Sequence, residues 1–132
     1  MAVLGAGKII VGVRDQNRAT RFWSEVLGFA VTTDAPYDGD ERWVEVTSPD
    51  GNITLVLSLD PEYRYRVAGH DQIPNANPFF YTDDLEKTYR ELSARGVCFP
   101  AEPSRQAWGW WSMFTDSEGN RFALQQRGDG GA

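Results

Sequence analysis

Apolar positions along the chain follow two periods, and the order of those periods repeats. From residue 8 the run KIIVGV reads as a strand. After a polar turn at Asp15, the apolar residues Ala19, Phe22, Trp23, Val26 and Leu27 fall at i, i+3, i+4, i+7 and i+8. That spacing predicts a helix with one buried face. Gly28 ends it, since glycine most readily takes the left-handed conformation of a helix stop. Three strand-like runs follow, up to residue 58. The same order returns over residues 77 to 127: a strand (NPFFYT), a turn at Asp83 and Asp84, a helix ending at Gly96, and strand-like runs around Val97, Trp111 and Phe122. The second helix has a narrower stripe of Leu85, Tyr89 and Leu92, and Asp83 followed by Glu86 has the spacing of a capping box. SPDGN at 48–52 and DSEGN at 116–120 are matching turn-rich pentads, each between two strand runs.

A duplicated pattern constrains architecture before any single element is judged. It predicts an α+β fold of two tandem βαβββ modules within one domain over residues 1–132. Module one spans 6–59, a linker 60–75, module two 76–127 and a mobile tail 128–132. The connecting stretch mixes turn residues, charge and aromatics, which suits a segment running over the surface.

Composition narrows the class. With 41% hydrophobic and 24% charged residues the chain can bury a core. No apolar run approaches the roughly 20 residues that span a bilayer. The start, MAVLGAGKIIVGV, lacks the basic and long apolar regions of a secretion signal, so a cytoplasmic location is expected. Cys98 is the lone cysteine; it forms no internal disulfide, and in GVCFP it reads as a small buried hydrophobe. Thirteen basic against nineteen acidic residues give a net charge of −6, which repels phosphate backbones and disfavours a nucleic-acid partner. The single histidine, His70, lies in the linker and reads as a surface or structural residue. One histidine supports no nucleophilic triad, and DGN and EGN are hairpin turns rather than phosphate loops, so hydrolase and nucleotide-binding readings fall away.

The paired modules, with RFWSEVLGF in the first and DDLEKTYRELSARGV, a WG pair and DSEGNRF in the second, resemble the vicinal oxygen chelate superfamily. That superfamily includes glyoxalases, extradiol dioxygenases and antibiotic-binding proteins of the bleomycin-resistance type; the resemblance is nearest to this last branch, covers nearly the whole chain, and implies that the two modules form a curved mixed sheet with a concave cavity. In metal-dependent members the ligands are His, Gln or Glu about seven residues before the turn aspartate, and a Glu in the last strand after the glycine turn. The corresponding positions here are Lys8, Asn77, Leu55 and Ala123. An ammonium, an amide and two aliphatic side chains do not hold a divalent ion. No metal, no cofactor and no catalytic residue are therefore expected.

Strand alternation converts these positions into a lining. If Lys8, Leu55, Asn77 and Ala123 face the cavity, so do Ile10, Ile53, Leu57, Phe79, Tyr81 and Gln125. Aligning the two pentads adds Trp43 with Trp111, Glu45 with Met113 and Thr47 with Thr115, and leaves Val44, Val46, Ser112 and Phe114 against the helices, where Ser112 fits less well. The expected ligand-binding set is Trp43, Trp111, Glu45, Tyr37, Phe79, Tyr81, Leu55, Leu57, Asn77, Met113 and Trp108. Trp23 is assigned to the helix core. Other readings stand beside these: some of Trp108, Trp110 and Trp111 pack at an oligomer interface; Glu45 meets a ligand or pairs with Lys8 or an arginine; Tyr37 and Asp34, in the loop TTDAPYDGDE, form a rim or belong to an ordinary solvated loop.

The resemblance implies a metal-independent protein that sequesters an aromatic antibiotic of the bleomycin, mitomycin or enediyne class, including anthraquinone-fused enediynes, to give self-resistance. It further implies a homodimer with pockets at the subunit interface. The alternative is a glyoxalase-like lyase or isomerase, or a dioxygenase, acting on a small molecule through an unrecognised metal site or through proton transfer by Glu45 or Tyr81.

Overall fold

Two aspartates start the two helices. Asp15 Oδ1 accepts from the Arg18 backbone N–H at 2.9 Å and Asp84 Oδ1 from Lys87 N–H at 3.0 Å, each satisfying a donor that the first helical turn leaves unpaired. The second cap is thus Asp84, one residue beyond the Asp83 expected from the capping-box spacing. The computed structural model describes residues 2–60 and 78–128. The chain divides into two compact units, Met1–Arg66 and Val67–Ala132.

The first unit contains β1 (Lys8–Val13), α1 (Gln16–Arg21), β2 (Ala30–Asp38), β3 (Glu41–Thr47) and β4 (Thr54–Leu59), in sheet order β1-β4-β3-β2. The second contains β5 (Phe79–Thr82), α2 (Leu85–Ala94), β6 (Ser104–Gln106), β7 (Gly109–Thr115) and β8 (Arg121–Gln126), in order β5-β8-β7-β6. In each, the strand before the helix pairs in parallel with the last strand and the remaining pairs are antiparallel. The fold is α+β, with the expected βαβββ order in both copies. Among the described residues no helix is long and apolar enough to cross a membrane.

A π-helical turn at Phe22–Val26 continues α1, and the combined segment is one residue longer than α2, a difference that the wider turn absorbs. Its exit shows the same offset. Phe29 N–H reaches back to Trp23 O at 2.8 Å, whereas Val97 N–H reaches Leu92 O at 3.0 Å, one residue nearer in sequence. Gly28 and Gly96 hold the positive φ, 79° and 90°, that these exits require.

Gln16 ties α1 to its sheet. Its Nε2 donates to Arg42 O at 2.7 Å and Leu57 O at 2.8 Å, while its Oε1 accepts from Arg42 N–H at 3.1 Å. Behind it lies a core of Val11, Val13, Ala19, Trp23, Val44, Val46, Leu55 and Leu57, all buried. Burial of each valine or leucine side chain stabilises by roughly 1.5 to 3 kcal/mol. The second unit builds its core from rings instead: Phe80, Phe114 and Phe122 meet pairwise at 5.6 to 6.1 Å between centroids, and Phe99 bridges Phe114 to Tyr89. Ser112 belongs to this buried side because its hydroxyl donates to Ala101 O at 3.1 Å.

Three local expectations are corrected. Residues read as a loop around Tyr37 and Asp34 form β2, an edge strand that tolerates Pro36, and only Gly39 and Asp40 turn. The strand expected at Val97 is instead β6; Val97 is the buried residue that closes the helix exit, and Cys98 makes a single bridge to Thr115. Cys98 is exposed rather than buried. Residues 61–77, which include His70 of the linker and Asn77 at the start of the second module, and residues 129–132 of the tail lie outside the described residues.

Candidate functional site

The two glycine turns differ by one residue, and that difference sets which side chains share a face. DSEGN closes with Asp116 N–H donating to Asn120 O at 2.9 Å, whereas the first turn closes with Ser48 N–H donating to Ile53 O at 2.9 Å. In consequence Thr115 pairs with Arg121, but Thr47 pairs with Thr54. Every residue of β4 is shifted by one against the alignment of the pentads. Side chains opposite each other in a ladder point to one side. Lys8 therefore shares its face with Thr54, Ile10 with Val56 and Glu45 with Val56, while Leu55 faces Ile9 and Val46. Leu55 and Leu57, expected on the open face, are on the helix side at 0% exposure. Val56 takes the position opposite Glu45 that Ala123 takes opposite Met113.

On the open face of the first unit, Glu45 is 7% exposed. Its Oε2 accepts from Lys8 Nζ at 2.8 Å and from Trp43 Nε1 at 2.7 Å. The Lys8 hydrogen bond first, and the Trp43 one second, hold the Glu45 carboxyl below its ordinary 4.5. Glu45 is thus a fixed, internally neutralised anion. Tyr37 leans on Trp43 with ring centroids 5.2 Å apart. Asp34 is oriented otherwise: it pairs with Arg42 at 2.9 Å and stands opposite Val44, on the helix side of the ladder.

In the second unit the parity expectation fits the ladder. Phe79, Ala123 and Met113 are cross-strand neighbours, as are Tyr81, Gln125 and Trp111. Trp111 stacks on Phe79 at 6.0 Å and 16° between planes, and receives Trp108 edge-on at 5.3 Å and 77°. These neighbours leave Trp111 only 5% exposed and Met113 only 7%, while Trp108 is 43%, Phe79 37% and Tyr81 54% exposed. The accessible aromatic surface therefore belongs to Trp108, Phe79 and Tyr81, with Trp111 as their backing.

Beside this cluster lies an open cavity of about 410 Å³, lined by the β6–β7 hairpin from Arg105 to Gly109, the end of β8 from Gln125 to Gly128, and Tyr81. That size suits a small molecule. Gln125 Nε2 donates to Trp108 O at 2.5 Å and fixes the hairpin against β8. Arg127 N–H donates to Thr82 O at 2.8 Å, and the Arg127 guanidinium lies 4.8 Å from the Tyr81 ring centre. Of the expected ligand-binding residues, Tyr81 and Trp108 line this cavity. Arg105, Gln126 and Arg127 were not anticipated, although the alternation that places Gln125 on this face extends two residues on to Arg127.

The donor set does not fit a divalent ion. Lys8 is an ammonium already paired with Glu45, and Val56, Leu55 and Ala123 offer no donor atom. Among the described residues no group of three or more His, Cys, Asp or Glu side chains could hold a metal.

Comparison with known proteins bears on this geometry. Residues 5–124 match the family model described as the Glyoxalase/Bleomycin resistance protein/Dioxygenase superfamily. The protein YetH of Bacillus subtilis (strain 168) is 32% identical over 120 residues, covering 91% of this chain and 96% of YetH. The crystal structure of TnmS3, an antibiotic binding protein from Streptomyces sp. CB03234, superposes with a TM-score of 0.76 at 29% identity, over 97% of this chain and 99% of that one. A superfamily member from Sphaerobacter thermophilus DSM 20745 gives a TM-score of 0.80 at 28% identity, over 95% and 98% of the two chains.

Proposed function

The chain belongs to the Glyoxalase/Bleomycin resistance protein/Dioxygenase superfamily, and from that premise we propose that it is a metal-independent binding protein that sequesters an aromatic antibiotic. The observation that carries this reading is the exposed Trp108, edge-on to Trp111, which shares with Tyr81 the wall of a cavity of about 410 Å³. A flat conjugated ligand gains roughly 0.5 to 1.5 kcal/mol from each well-placed ring beyond the area it buries. The likeness to TnmS3, described as an antibiotic binding protein, supports the same reading. The ligand class is bleomycin-like, mitomycin-like or enediyne, with an anthraquinone-fused enediyne as the flat extreme, and the working form is a cytoplasmic homodimer that confers self-resistance.

The test is a titration of purified protein with representatives of these classes while tryptophan emission is followed. Saturable quenching at one ligand per subunit, with the ligand recovered unchanged, supports sequestration. Chemical turnover of the ligand, or one equivalent of bound metal whose removal abolishes binding, overturns it. Light scattering during size-exclusion chromatography checks the dimer, and a monomeric mass removes that part of the proposal.

A further inference from the structure

One amide interrupts an apolar stretch of the second sheet. β8 lies between β5 and β7, and on its open face Ala123 is flanked by Phe79 and Met113 while Gln125 is flanked by Tyr81 and Trp111. Gln125 also lines the cavity, together with Tyr81 and Trp108. Its Nε2 donates to the Trp108 carbonyl oxygen at 2.5 Å. A carbonyl oxygen only accepts, so this bond fixes which way round the amide lies, with its nitrogen towards the hairpin and its oxygen away from it. Among the described residues nothing donates to Gln125 Oε1. Two neighbouring amides are not set in this way. Gln126 Oε1 is taken by the Leu85 backbone N–H at 2.9 Å. Gln106 Nε2 meets the Ser104 hydroxyl at 3.1 Å, and a hydroxyl donates as well as accepts, so it accommodates either orientation of the Gln106 amide.

We propose that Gln125 is the specificity-determining residue of this cavity: its Oε1 accepts a hydrogen bond from a hydroxyl at the edge of the bound aromatic ring system, which selects phenolic ligands over their O-alkylated counterparts. This selection presupposes the aromatic-ligand binding proposed above and adds the chemistry required at the ring edge. Ring walls alone hold a flat molecule in several orientations of similar energy. A single acceptor of fixed direction among them singles out one orientation. A ligand that covers Gln125 Oε1 with a methyl group removes water from the acceptor and returns no donor, so it binds less tightly. The bond that tethers Trp108 is the one that turns the oxygen away from the hairpin, so one side chain sets both the ring wall and the polar contact.

The test is a calorimetric titration of the full chain with β-naphthol and its methyl ether, both uncharged at neutral pH. The two probes share their rings and an oxygen acceptor, so a donor such as the Arg127 guanidinium meets them alike; only the naphthol can donate. The naphthol is expected to bind about fivefold to tenfold more tightly than the ether. Gln125→Met, which keeps the length of the side chain and removes the amide, is expected to bring the two affinities to within about twofold of each other. Gln125→Glu keeps an acceptor and loses the donor to Trp108, and is expected to retain the preference. Gln125 is partly exposed, so both variants are expected to melt within a few degrees of the parent. Equal affinity of the parent for the two probes, or a preference that survives in Gln125→Met, overturns the selection while leaving aromatic binding in place. Loss of the preference in both variants overturns it too, because the amide would then act only by tethering Trp108. Absence of binding by both probes overturns the aromatic-ligand reading itself.

Discussion

Lys8 and Glu45 sit on strands separated by β4, yet the ammonium nitrogen lies 2.8 Å from Glu45 Oε2, the oxygen that also receives the Trp43 indole N–H. A cation belonging to the chain itself thus neutralises this carboxylate. Because the folded carboxyl is held below its ordinary 4.5, its contribution is fully present above that value and is lost as pH falls through the lower, folded value. Lys8→Met is expected to cost about 1 kcal/mol at neutral pH, a modest figure because the Lys8 side chain is 59% exposed. Urea unfolding at pH of about 7 and about 3 checks this. The deficit should be smaller at the acid value, and an equal deficit at both would contradict the pairing.

Asp116 behaves in the opposite sense. Burial, as the dominant cause, raises its carboxyl from 3.8 to about 6, against donors from Glu118 N–H, Asn120 N–H and Asn120 Nδ2 at 2.9, 2.8 and 3.1 Å. Between those two values the folded chain binds more protons at this site than the unfolded one. Stability from this group is therefore present at low pH and declines as pH rises through about 6. Asp116→Asn keeps one oxygen acceptor and removes the titration. The melting temperature of the parent minus that of the variant should fall as pH is raised from about 4 to about 7, since the remaining carboxylates cancel in the difference. A flat difference would show that Asp116 does not titrate there.

Gln16 offers a test of the helix-to-sheet attachment. Replacing it with leucine preserves bulk but removes partners from Arg42 N–H, Arg42 O and Leu57 O. A loss of about 1 to 3 kcal/mol is expected in denaturant unfolding with the slope unchanged. A loss within a few tenths would mean that water replaces these bonds.

Trp108 and Trp111 are neighbours with different expected roles. Trp111 is 5% exposed and Trp108 43%. Trp111→Ala is expected to cost about 3 to 5 kcal/mol of stability. Trp108→Ala should lower ligand affinity by about tenfold while its thermal unfolding stays close to that of the parent. If Trp108→Ala binds as the parent does, the cavity beside it is not the ligand site.

Much of this arrangement is legible in residue order. Helix periodicity, the glycine exits and the paired turns mark two βαβββ modules, and alternation within β5, β7 and β8 places Phe79, Tyr81, Trp111 and Met113 on one face as expected. The failures have local causes. β2 is an edge strand that contains the turn-forming residues Asp34, Pro36 and Asp38, so its composition resembles a loop while its ladder to β3 makes it a strand. Arg105 and Arg127 carry no pattern of their own and come to line one cavity only when the β6–β7 hairpin folds beside the end of β8.

The sequence by itself determines the duplicated modules and the chemistry that cannot occur at Lys8 and Ala123, because those follow from side-chain type and short-range period. Which of Leu55 and Val56 shares a face with Glu45 was decided only by tertiary structure. One additional residue between hydrogen-bonded partners, from Ser48 to Ile53 rather than from Asp116 to Asn120, reverses every side chain of β4, since a strand has a period of two. The alternation within β4, Leu55, Leu57 and Leu59 on one face against Thr54, Val56 and Ser58 on the other, agrees with the closure of the turn. Together they leave Leu55 and Leu57 in the core.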